Sequence, residues 1–162
     1  MTDGRAAERV AHRTEIDVEA PPERVYALLA DVTRMGEWSP ECVRCRWLGA
    51  DSGPRVGARF RGTSRKGWRR WSTLSTVVAA TPGRSFAFDV TYFRLPVATW
   101  RYEFRPTDEG GTHMVESVED RRGRLLRAVS PLITGSRDRG RRNTETMAAT
   151  LDRLKAAAEG ER

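Results

Sequence analysis

The 162-residue sequence predicts an α+β domain, and three observations carry that expectation. A strand-like segment and a short helical one open the chain. Six strand-like segments separated by short breaks fill the middle, and one long helical pattern closes it. Six consecutive strands with short connections imply an antiparallel meander. With the opening strand they predict a curved sheet of about seven strands.

The elements are justified in order. Residues 1–11 are polar and read as a loosely ordered tail, and 12–162 as one domain. HRTEIDVEA (12–20) alternates, with Ile16 and Val18 on one face, as a strand does. In PPERVYALLAD (21–31), Pro22 suits a first helical turn and Glu23 complements the dipole there. Val25, Leu28 and Leu29 give that short helix an apolar stripe. VTRMGEWSP (32–40), broken at Gly36 and Pro40, adds one more turn. Strands are expected near 42–48, 56–64, 69–80, 84–92, 97–106 and 111–120, punctuated by GADSGP, RKG, TPG, RLP and TDEGG. From about 134 to 159 a helix is expected, with Thr144, Met147, Leu151, Leu154 and Ala158 facing the sheet.

Composition narrows the function classes. The net charge is +7, and Lys66 and Lys155 are the only lysines among 29 cations. No apolar run reaches the roughly 18 residues of a membrane span, and the polar start lacks the apolar core of a secretory signal. With two cysteines, these features predict a cytoplasmic protein without structural disulfides.

Both cysteines lie in ECVRCRW (41–47). Three apart on a strand, Cys42 and Cys45 are expected to point to opposite faces. A structural zinc needs four ligands, and only His12 and His113 could join them. A thioredoxin-like pair would open a helix in a βαβ unit, and no such pattern surrounds this one. Neither metal nor redox chemistry is expected, and no cofactor motif occurs.

The order strand, short helix pair, six-strand meander and long C-terminal helix resembles the helix-grip arrangement. IDVEAPPERVYALLADVTRMGEWSP (16–40), VGARFRG (56–62), TPGRSFAF (81–88) and TWRYEFRPTDEGGTHMVESVED (99–120) are similar to the SRPBCC superfamily. That superfamily includes START-related lipid binders, polyketide cyclases/dehydrases and plant pathogenesis-related ligand binders. The resemblance covers about 12–159 and is nearest to bacterial, actinobacterial-type members. It implies a sheet gripping the C-terminal helix around an elongated cavity for a small hydrophobic molecule. It does not separate carriers from enzymes.

Strand parity then names the residues expected on the inner face. They are Trp71, Thr73 and Ser75 on one strand, Phe86 and Phe88 on the next, and Trp100, Tyr102 and Phe104 beyond. Met114 and Glu116 join them from the last strand, and Gly140, Thr144 and Met147 face them from the helix. For any single ring, ordinary core is the expected role ahead of ligand contact. Glu116 is read as either an ion-paired rim residue or, with Tyr102, an acid/base candidate. Arg141, Arg69 and Arg101 are its expected partners. No Ser-His-Asp arrangement, P-loop or G-x-S-x-G motif occurs.

Residues 121–142, RRGRLLRAVSPLITGSRDRGRR, carry eight Arg and one Asp among five aliphatics. The segment reads as a solvated face closing the cavity, as a contact for an anionic membrane, or as a dock for an acidic acyl-carrier protein. Nucleic acid is disfavoured, because no recognised module or surface ring platform is present. Three functions remain open: a binder or carrier of a lipid or polyketide, a polyketide cyclase/aromatase/dehydrase, and a peripheral membrane lipid-transfer module.

Overall fold

Alternating strands and one amphipathic helix can bury their apolar faces only against each other, and the chain does so by wrapping the sheet around the helix. The computed structural model describes residues 10–135 and 137–160. Seven antiparallel strands form one sheet: β1 (Val10–Val18), β2 (Cys42–Trp47), β3 (Arg59–Lys66), β4 (Arg69–Thr81), β5 (Ser85–Tyr92), β6 (Leu95–Pro106) and β7 (Thr112–Asp120). Their spatial order is β1-β7-β6-β5-β4-β3-β2. The tail expected over 1–11 lies outside the described residues except for Val10 and Ala11, which open β1.

Helix α1 (Pro22–Ala30) starts at the proline pair, and α2 (Met35–Trp38) follows a 3-10 turn at Val32–Arg34. Asp31 caps that turn, accepting from the Thr33 amide and hydroxyl. The turn after α2 leads into β2. Strand β3 begins three residues later than the sequence suggests, because Asp51 holds the preceding loop. Its carboxylate accepts from the Arg55 guanidinium at 2.8 Å and the Arg59 amide at 3.0 Å.

The C-terminal region departs from the expectation. The helix expected over 134–159 is α4 (Arg139–Gly160), starting about five residues later, and an additional helix, α3 (Arg124–Thr134), precedes it. Gly135 ends α3 in the left-handed region (φ 69°), and its amide bonds the Pro131 carbonyl. A Cβ there would lie 2.6 Å from the Arg69 guanidinium. The Gly135 carbonyl accepts from Lys66 Nζ at 3.0 Å, which ties the end of α3 to the β3–β4 hairpin.

The core fills one half of the concave face. Tyr26 of α1 meets Phe86 and Phe104 edge-on, at centroid distances of 6.3 and 5.8 Å. Leu151, Leu154 and Ala158 of α4 close over them, together with Val25, Leu29 and Met114. The other half of the concave face has no α1 side chain above it.

Candidate functional site: a cavity under helices α3 and α4

That uncovered half is a cavity of about 280 Å³. Every strand contributes to its wall, β1 through His12 alone and β7 through Glu116, Val118 and Asp120. β3 gives Phe60, Gly62 and Ser64, β4 gives Trp71, Thr73 and Ser75, and β6 gives Trp100 and Tyr102. Its roof is α3, through Leu126, Ser130, Ile133 and Thr134, and the N-terminal half of α4, through Gly140, Asn143, Thr146 and Thr150. Small side chains at those helix positions leave the space open.

The structure places the expected residues in three groups. Trp71, Thr73, Ser75, Phe88, Trp100, Tyr102, Glu116 and Gly140 line the cavity. Phe86, Phe104 and Met114 share their strand face but lie under α1, in the closed half of the core. Met147 packs against Ala98 and Val118 instead of facing the space. Thr144 does not line the cavity: it is exposed, bonding the Gly140 carbonyl of its own helix and His12 Nδ1 of β1 at 3.3 Å. Thr146 and Thr150, more than half a turn around the helix from Thr144, face the cavity in its place.

Residues missed from sequence include His12, Phe60, Ser64, Asn143, Ser130 and Thr150. His12 pairs with Val118 in β1 and lies beside Gly140, where a Cβ would sit 3.3 Å from its ring. The alternation of β1 contains that signal, since His12, Thr14 and Ile16 share parity.

Glu116 is the chemical centre of the cavity. It is 2% exposed, and Tyr102 Oη donates to its Oε1 at 2.8 Å. Its Oε2 has no hydrogen-bond partner among the described residues. Burial pushes the carboxyl up to about 8, against the lowering effect of the Tyr102 bond. The same burial, and the neighbouring carboxyl, raise the Tyr102 phenol well above its usual range. Glu116 is therefore mainly a neutral acid at pH 7, with one oxygen left to bond an occupant. None of the expected cationic partners meets it. Arg141 pairs with Glu145 at 3.1 Å, Arg101 is exposed, and Arg69 stacks on Trp68 at 4.7 Å.

Ion pairs flank the cavity on two sides. Arg122 grips Asp120 through two bonds of 3.0 and 2.7 Å and also reaches Ser130 Oγ. Arg142 of α4 is bonded to Glu41, just before β2. His113, on the outer face of β7, bonds Asp17 at 2.6 Å and takes no part in the cavity.

The cysteine pair overturns the parity argument. A bulge between Cys42 and Arg44 sets Cys42 opposite Ser64 and Cys45 opposite Gly62, two positions apart on β3. Both sulfurs therefore face the cavity, 3.4 Å from each other. No group of three or more metal-ligating side chains occurs among the described residues.

This sheet, helix and cavity define a helix-grip protein of the SRPBCC superfamily. The sequence profile of the family described as "Polyketide cyclase / dehydrase and lipid transport" matches residues 9–159, and the chain belongs to that family. Among solved structures, it is 32% identical to the Polyketide_cyc-like protein Cgl2372 of Corynebacterium glutamicum, with a TM-score of 0.58 over 93% of this chain and 90% of that one. The di-domain ARO/CYC StfQ of the steffimycin biosynthetic pathway is 19% identical, with a TM-score of 0.71 over 96% of this chain and 54% of its own. Major latex-like protein 151 of Panax ginseng is 10% identical, with a TM-score of 0.67 over 91% and 95%. The last two likenesses show the fold alone. No curated protein matches the sequence significantly.

Proposed function

We propose that the protein is a binder or carrier of one small hydrophobic molecule that bears a hydrogen-bonding oxygen. The observation that carries this reading is the free Oε2 of buried Glu116 in a cavity whose wall includes the rings of Phe60, Trp71, Phe88 and Trp100 among small polar side chains. A lipid or a polyketide-like ring compound has that chemistry. Native mass spectrometry beside the denatured mass tests it. An excess mass lost on denaturation supports a held ligand. If the apo protein also fails to take up N-phenylnaphthylamine, the reading is lost.

The alternative is a cyclase or dehydrase acting on a polyketide-like substrate, favoured by the Tyr102–Glu116 pair as a proton donor or acceptor. Glu116→Gln separates the two. A binder keeps most of its affinity, whereas an acid/base enzyme loses turnover with binding nearly intact.

A second reading, a peripheral membrane module, rests on a different observation. Trp68, Phe93, Leu125 and Leu132 are 85, 83, 69 and 75% exposed. They stand on the β3–β4 turn, the β5–β6 turn and the outer side of α3, all at the end of the sheet where α3 crosses the cavity. Exposed Arg65, Arg70, Arg94, Arg121, Arg124 and Arg127 accompany them, and residues 121–135 include no acid. Apolar side chains among arginines suit an anionic bilayer better than an acidic carrier protein, whose surface offers no apolar interior. Phosphatidylglycerol vesicles should pull the protein down at low salt, and phosphatidylcholine vesicles should not. No sedimentation with either removes this reading.

A further inference from the structure

We propose that Cys42 and Cys45 form a reversible dithiol–disulfide site in the cavity wall, oxidised by a hydroperoxide that enters the cavity. Three observations carry it. The β2 bulge turns both side chains to the same face, so the sulfurs touch at 3.4 Å and need to close by about 1.4 Å to reach bond length. Gly62, opposite Cys45, leaves room for the movement: even a single Cβ there would sit 3.4 Å from the Cys45 sulfur. The two thiols also differ in access. Cys45 is buried, while Cys42 is partly exposed at the start of the strand, beside the Glu41–Arg142 pair.

Their electronic roles differ in the same sense. A hydrogen bond from the Cys45 thiol lowers Cys42, and the same contact and burial raise Cys45 far above its usual range. Cys42 is thus the attacking thiolate and Cys45 the resolving thiol.

The chemistry balances in two steps. The Cys42 thiolate attacks one peroxide oxygen, an S–O bond forms, the O–O bond breaks, and the departing alkoxide takes a proton to leave as the alcohol. The Cys45 sulfur then attacks the sulfenic sulfur of Cys42. The S–S bond forms, the S–O bond breaks, and the Cys45 proton leaves with the hydroxide as water. The hydroperoxide is reduced by two electrons, which the two thiols supply. An external dithiol reverses the change.

The disulfide would draw β2 inward at the cavity wall, so oxidation alters what the cavity holds. That consequence rests on the proposed ligand-binding function, but formation of the bond does not. The test is intact-mass analysis of the full chain after one equivalent of cumene hydroperoxide or hydrogen peroxide, followed by denaturing alkylation. The expected result is a monomer lighter by about 2 Da, closed to alkylation and restored by dithiothreitol. Cys45→Ser should stop at a sulfenic acid that dimedone traps, and Cys42→Ser should block the reaction. Two alkylatable thiols after treatment, separate sulfinic acids, or a disulfide between chains would each overturn the proposal. Prior loading with N-phenylnaphthylamine should slow the oxidation. Failure of that dye to bind would count against the ligand reading while leaving the mass result standing.

Discussion

Tyr102 and Glu116 face each other across the β6–β7 pair, and the phenol uses only one of the two carboxyl oxygens. This leaves a neutral acid in a cavity of rings and small polar side chains, held by strand register and not by a charge. An occupant with a carbonyl or hydroxyl can complete the set without displacing Tyr102, so binding need not disturb the core.

The same carboxyl makes stability depend on pH. Its folded value, about 8, lies above the ordinary 4.5. The folded state therefore holds the proton where the unfolded chain has released it, and stability falls as pH rises from about 4.5 to 8. Glu116→Gln removes this dependence. The variant should gain on the order of 3 kcal/mol over the parent at pH 7 and almost nothing at pH 4. Urea unfolding at several pH values would read it, and parallel curves for the two proteins would refute the assignment.

Truncations should separate core from cavity. Phe86 is fully buried beneath Tyr26, and Phe86→Ala should cost about 3–5 kcal/mol of stability. Trp100→Ala should cost less, because part of the ring faces open space, while dye affinity drops. Thermal melts with dye titrations check this. Equal destabilisation would mean that the cavity is a closed core in solution.

Filling the space should have the opposite effect. Thr150 is buried at the cavity roof on α4. Thr150→Leu adds apolar volume and a better helix former, and should raise stability by about 1 kcal/mol. Dye affinity should fall about tenfold, or about 1.4 kcal/mol. Unchanged affinity would place the dye elsewhere.

The β5–β6 turn offers a separate test. Phe93 and Arg94 both have positive φ, 46° and 66°, where two-residue hairpin turns favour Asn-Gly. Phe93→Asn with Arg94→Gly should stabilise the fold by about 1 kcal/mol. It also removes an exposed ring and a cation, so binding to phosphatidylglycerol vesicles should weaken. A stabilised variant with full vesicle binding would exclude this turn from the contact.

The sheet was legible because short strand-like runs, alternating most plainly in β1 and β6, are separated by turns marked with glycine and proline. The inner-face residues of β4 and β6 follow from strand parity directly. Three features were not legible, for separate reasons. Tyr26 decides which half of the concave face is filled, and nothing in the strands themselves says where α1 will lie. One extra residue, Val43, reversed the parity between the cysteines. Helix α3 was hidden by its arginines and by Pro131, which reads as a break but sits in the last turn of the helix.

Helix α4 is bulky at its C-terminal end, with Leu151, Leu154 and Ala158 in the core, and sparse at its N-terminal end, with Gly140, Asn143 and Thr146 over open space. Residues that keep the chain folded and residues that shape its contents thus occupy different turns of one element. Such a helix can drift in specificity without crossing the threshold of unfolding, since changes in its first turns leave the packing of its last turns intact. A lineage carrying this architecture could exchange one ligand for another by a few substitutions between 140 and 150, with the rest of the sheet undisturbed.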